Sequence, residues 1–92
     1  MQPVQDLLHR IRWDQAFAEA DFEIGYYDRI EDRIVHVPFS AIRFPQDDPF
    51  AFEFLARDGE VHHVPFHRVR EIYRDGRRIW SRPLPFGQDR HS

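Results

Sequence analysis

Arginine and histidine carry most of the chemistry this sequence can offer. His67-Arg68 follows a proline and an aromatic residue, in a segment that reads as a turn on a rigid base. An imidazole beside a guanidinium suits phosphate oxygens, since both groups donate charge-assisted hydrogen bonds. The plainer alternative is a turn whose histidine caps a carbonyl and whose arginine is solvated. Tyr27-Asp28-Arg29 is the second candidate. Tyr27 offers a ring on which a base can stack, and Arg29, two residues on along a strand, offers a phosphate donor on the same face. Its alternative is a cross-strand aromatic pair with a surface ion pair. Arg12-Trp13-Asp14 is the third. Trp13 reads as a core or rim anchor or a second stacking ring. Arg12 is a further phosphate donor, or a cation serving the C-terminal end of a helix dipole.

Other chemistries find little support. The chain has no cysteine, which removes disulfides and thiolate zinc sites. His62, His63 and His67 are the best remaining metal ligands, but His62 and His63 alternate across a predicted strand and cannot easily reach one ion. No His-Glu-x-x-His pattern, Gly-rich phosphate loop, Gly-x-Ser-x-Gly elbow or Cys/His pair is present. The paired His-x-Thr/Ser motifs of cyclic phosphodiesterases are also missing. The expectation is a non-catalytic protein with no cofactor and no metal.

Charge is unevenly spread. Net charge is −3, yet residues 1–56 carry 5 Arg against 11 acids and residues 57–92 carry 8 Arg against 5 acids. The second half can therefore present a basic face. All 13 Lys and Arg positions are arginine, whose planar fork binds phosphate in a bidentate way. A codon bias toward G and C would give the same usage. The N-terminus has no charged segment followed by an apolar stretch, and no run approaches the ~20 apolar residues that span a bilayer. A cytoplasmic protein away from membranes is expected.

The elements that must position these residues are legible in the pattern. Val4, Leu7, Leu8 and Ile11 recur at helical spacing and predict a helix over residues 3–11, with Pro3 in its first turn. Asp14 is suited to capping a short turn that runs to residue 20. Strands are predicted at 22–29, 33–37, 50–56, 60–64, 69–74 and 77–82, joined by turns at 30–32, Asp58-Gly59 and Asp75-Gly76. Nine Phe, two Trp and three Tyr supply the large side chains that a chain of 92 residues needs for its core. The predicted fold is α+β. An N-terminal helix precedes a strongly twisted antiparallel sheet of about six strands, read as a partly closed barrel. One domain over residues 1–82 and a frayed tail over 83–92 are expected.

A repeat supports that twist. His36-Val37-Pro38-Phe39-Ser40-Ala41-Ile42-Arg43 recurs 27 residues later as His63-Val64-Pro65-Phe66-His67-Arg68-Val69-Arg70, agreeing at six of eight positions when Ile42 is counted with Val69. Each copy reads as a strand stopped by proline, then a turn that drops an aliphatic anchor into the core. The copies differ at Ser40-Ala41 and His67-Arg68, where chemistry would sit.

Four blocks together resemble a family. Val4 to Asp14 is similar to an "LLxRIxWD" opening, Gly25 to Arg29 to "GYxDR", Val64 to Ile72 to "IPxHRIxxI", and Asp75 to Arg82 to "GxxIWxR". In this order they resemble the RNA cyclic-group end recognition domain family, once a domain of unknown function, over residues 4–82. The resemblance implies binding of RNA ends that bear a 2′,3′-cyclic phosphate or a related terminus, in RNA repair or processing. It also implies a nucleotidyltransferase or another RNA-end enzyme as a partner in trans. The net acidic charge departs from the basic members of that family. On this reading Arg29, His67, Arg68 and Arg12 bind the terminal phosphate, and Tyr27 or Trp13 stacks the terminal base. Two other readings compete. One is a protein-interaction adaptor without direct RNA contact. The other is an enzyme that opens cyclic phosphates, with His67 as general acid or base.

Overall fold

A computed structural model describes residues 3–84 of the chain. Helix α1 (Val4–Trp13) buries Val4, Leu7, Leu8 and Ile11, the stripe that its spacing predicts. The backbone N–H of Asp14 donates to the Arg10 carbonyl at 2.9 Å and closes the helix. The Asp14 carboxylate then accepts the N–H of Phe17 at 3.2 Å, which starts a 3-10 turn at Phe17–Glu19. No helix among the described residues is long and apolar enough to cross a membrane.

Seven strands follow: β1 (Phe22–Asp28), β2 (Arg33–Pro38), β3 (Ile42–Arg43), β4 (Ala51–Leu55), β5 (Val61–Pro65), β6 (Val69–Arg74) and β7 (Arg77–Ser81). They form two antiparallel sheets, one ordered β2-β1-β6-β7 and one ordered β3-β4-β5. This corrects the expectation of a single sheet of about six strands closing toward a barrel; the sheets are separate and open. The extra strand is β3, two residues of the segment read as a turn and anchor.

The repeat explains the division. Its first copy leaves β2 in one sheet, passes a 3-10 turn (Phe39–Ala41) and enters β3 in the other. Its second copy leaves β5, passes a 3-10 turn (Phe66–Arg68) and returns to β6 in the first sheet. Pro38 and Pro65 precede the turns with near-identical backbone angles, φ −67° and −64°. A proline ends each ladder because it has no N–H to give the next pair. The repeat therefore marks the two crossings between sheets. The rings of both its phenylalanines pack on Phe44, Phe39 at 5.9 Å and Phe66 at 6.3 Å between centroids.

One core joins helix and sheets. It contains the α1 stripe, Ile24, Tyr26, Val37, Val69, Ile72 and Trp80 of the larger sheet, and Phe52 and Val64 of the smaller. Strand β1 pairs with β2 without interruption, while its register against β6 shifts between Gly25 and Tyr26, where Arg70 of β6 is the extra residue; Tyr26 and Tyr27 are both buried. Gly25 is closely enclosed at that point: a Cβ there would stand 3.0 Å from Ile34 Cγ2 and 3.1 Å from Glu71 Oε1, so those side chains would have to shift. The Asp75-Gly76 turn has positive φ at both residues, as two-residue hairpins demand.

Candidate nucleic-acid interface

Two rigid turns bring Arg29 and Arg68 together. The first spans β1 to β2. Asp28 Oδ1 accepts the N–H groups of Ile30 at 2.8 Å and Glu31 at 3.1 Å, while the Asp32 N–H donates to the Asp28 carbonyl at 2.7 Å. The Tyr27 hydroxyl donates to Asp32 Oδ1 at 2.6 Å and pins the far end. Four hydrogen bonds thus fix the backbone that carries Arg29.

The second turn is Phe66–Arg68, and two guanidinium groups lock it. Arg70 Nη1 donates to the carbonyls of His67 at 2.7 Å and Val69 at 3.0 Å. Arg82 donates through Nε to the Val69 carbonyl at 2.9 Å and through Nη2 to the Phe66 carbonyl at 2.8 Å. Burial, aided for Arg70 by the neighbouring charge of Arg82, lowers the pKa of both groups. Arg70 is only 7 % exposed and its Nε has no hydrogen-bond partner, so this turn is held at an electrostatic cost. The matching arginine of the first repeat copy, Arg43, instead lies on the surface against Glu53.

Between these turns and strand β5 lies a cleft of about 490 Å³, lined by Tyr26, Asp28, Arg29, Ile30, Arg68 and residues 60–64. Neither Arg29 nor Arg68 makes a hydrogen bond or ion pair among the described residues. Two such guanidiniums in one concavity are free to take an anion. Tyr26 packs its ring edge-on against Phe52, 6.2 Å between centroids. Burial, followed by the charges of Asp28 and Glu31, raises its pKa, so at neutral pH the hydroxyl keeps its proton and can donate it.

The imidazoles of the cleft are already engaged. His63 is hydrogen bonded through Nε2 to Asp48 at 3.0 Å and through Nδ1 to Glu53 at 3.2 Å. His62 faces Asp58 at 3.4 Å, with its ring 5.2 Å from that of Phe54. Hydrogen bonds to Glu53 and Asp48 raise the pKa of His63 from its ordinary 6.5. They also help hold both carboxylates low, with the Phe50 N–H the larger influence on Asp48. A raised histidine contributes stability that is present below 6.5 and lost as pH rises through its folded value. The lowered carboxylates contribute stability that is lost as pH falls through their range. The thermal advantage of the parent chain over His63→Gln is therefore expected to be largest between the carboxylate range and pH 6.5, and to shrink as pH rises above 6.5. Melting curves of both proteins across that range check this, and an advantage independent of pH would rule out the clamp.

The larger-sheet cavity beside Phe22 and Phe39, about 440 Å³, is lined by Glu19, Asp21 and Glu23 with no arginine, and is unsuited to an anion. A family model described as the MJ1316 RNA cyclic group end recognition domain matches residues 1–82. The chain belongs to this family. No solved structure matches it. In this member of the RNA cyclic group end recognition family, the residues singled out in the sequence are distributed over the surface rather than gathered. Arg29 and Arg68 share the cleft. His67 lines a separate groove with Phe50, Phe66 and Arg82. Arg12 lines a further one beside His9 and Phe44, its guanidinium 4.7 Å from the Trp13 ring centre and 4.5 Å from that of Phe44. Trp13 is 62 % exposed. Tyr27 is 8 % exposed and supports the Arg29 turn from beneath. Tyr26 and the His62-His63 pair line the cleft without having been singled out for anion binding. Tyr26 carries no sequence signal beyond an inward-facing strand position, and the histidine pair signals only metal.

Proposed function

We propose that residues 1–82 form a non-catalytic module that binds processed RNA ends, with the 2′,3′-cyclic phosphate or a related terminal phosphate held between Arg29 and Arg68. The observation that carries this reading is the meeting of two unpaired guanidiniums, 39 residues apart in the chain, in one cleft. Each donates to phosphate oxygens, and Tyr26, which also lines the cleft, offers a neutral hydroxyl donor. The family description supports RNA ends as the ligand class. Both ring nitrogens of His63 face carboxylates, which leaves that imidazole no free nitrogen for acid–base chemistry on a ligand. The module serves RNA repair or processing in the cytoplasm and delivers its end to a nucleotidyltransferase or other RNA-end enzyme in trans.

Backbone amide shifts during titration with trinucleotides test this. Ends carrying cyclic phosphate, 3′-phosphate or hydroxyl differ in charge at one point only. The phosphorylated ends are expected to shift the amides of Arg29, Ile30 and Arg68 and to bind at least about tenfold more tightly than the hydroxyl end, since each charged hydrogen bond is worth about 1.5–3 kcal/mol. Equal affinity for all three ends would overturn the reading.

A further inference from the structure

The turn that places Arg68 in the cleft places His67 in a different cavity, so one short segment borders two concavities. The His67 groove, about 310 Å³, shares Gln5 and Phe66 with the Arg12 groove, about 300 Å³. Together they make a continuous track that starts beside the cleft and runs along α1. Its chemistry is distinctive. Arg12, Arg82, His9 and His67 line it, and Asp6 is its sole carboxylate. Arg12 has no ion pair among the described residues; it lies between the rings of Trp13 and Phe44. Two large aromatic side chains stand open to water along the track, Phe50 within it at 61 % exposure and Trp13 at 62 % beside His9 and Arg12. An exposed tryptophan and phenylalanine cost free energy in water, and here both stand among cations.

We infer that this track binds the single-stranded RNA that precedes the end nucleotide, an assignment that rests on the end-binding role proposed for the cleft. The strand leaves the Arg29/Arg68 cleft across the His67-Arg68 turn. Its bases stack on Phe50 and then Trp13, while Arg12 and Arg82 face its phosphates. Aromatic faces alternating with cations are what sequence-tolerant binding of single strands requires. A protein partner would call for the apolar, charge-depleted centre typical of protein interfaces, which this track lacks.

The test compares a nucleoside 2′,3′-cyclic monophosphate with a tetranucleotide ending in the same nucleotide, both titrated against the full chain. The tetranucleotide is expected to bind roughly tenfold or more tightly, from stacking of at least one further base. Trp13→Ala and Arg12→Gln should each remove most of that gain and leave the affinity for the mononucleotide unchanged, which also shows that the variants are folded. Equal affinity for the two ligands, or variants that weaken both ligands alike, would overturn the track. Tetranucleotide binding that ignores the end chemistry, with no mononucleotide binding, would support the track and overturn the end-binding role of the cleft. Binding of neither ligand overturns both.

Discussion

Phe52→Ala is expected to destabilise the fold by about 3–5 kcal/mol, the range for emptying a buried phenylalanine site. Phe52 sits in β4, the middle strand of the smaller sheet, and is 0 % exposed. Its ring touches Tyr26 of the larger sheet and Phe54 of its own. With Val64, it carries the smaller sheet into the shared core. A chain of this length holds about 0.05–0.15 kcal/mol per residue, so the loss is a large share of the whole. Leu55→Ala, on an exposed position of the same strand, should change stability by no more than about 0.5 kcal/mol. Urea titrations of the two variants decide it. A Phe52→Ala midpoint matching that of Leu55→Ala would mean that the sheets do not share one core. The variant also bears on function, because Tyr26 lines the cleft and rests on the Phe52 ring.

The second large effect is on binding. The double variant Arg29→Ala/Arg68→Ala removes both unpaired guanidiniums of the cleft. At about 1.5–3 kcal/mol for each charge-assisted hydrogen bond, affinity for a cyclic-phosphate end should fall at least about a hundredfold. Neither residue has a protein partner to lose, so the melting temperature should move by only a few degrees. The salt dependence should also flatten, because the slope of affinity against salt scales with the phosphates neutralised. Binding within about threefold of the parent chain, with the fold intact, would place the phosphate elsewhere. Combining this double variant with His63→Gln separates roles: His63 supports the cleft wall through Asp48 and Glu53, and its effect should follow pH.

The local pieces follow from the sequence for local reasons. The helical stripe of Val4, Leu7, Leu8 and Ile11 needs only its spacing, and the Asp-Gly turns need only the positive φ that glycine tolerates. Asp14 was legible as the start of a second turn because a short carboxylate reaches a nearby N–H. The repeat showed where strands stop, since a proline ends a ladder wherever it falls. The family was legible as well, because its blocks occur in order along the chain.

Tertiary structure alone decided the rest. Proline shows that β2 and β5 end, but the sheet that each chain segment then joins depends on packing around Phe44 and Phe52, whose partners Phe66 and Tyr26 are far away in sequence. Tyr26 and Tyr27 point to opposite faces of β1 and both are buried, because tertiary packing covers the strand on both faces there, which alternation alone does not reveal. His67 and Arg68 are neighbours that line different concavities. A 3-10 turn has about three residues per revolution, so adjacent side chains diverge by a third of a turn. Adjacency in the chain therefore separated that pair, whereas Arg29 and Arg68, distant in the chain, meet because the β1–β2 hairpin turn and the β5–β6 sheet crossing border one cleft.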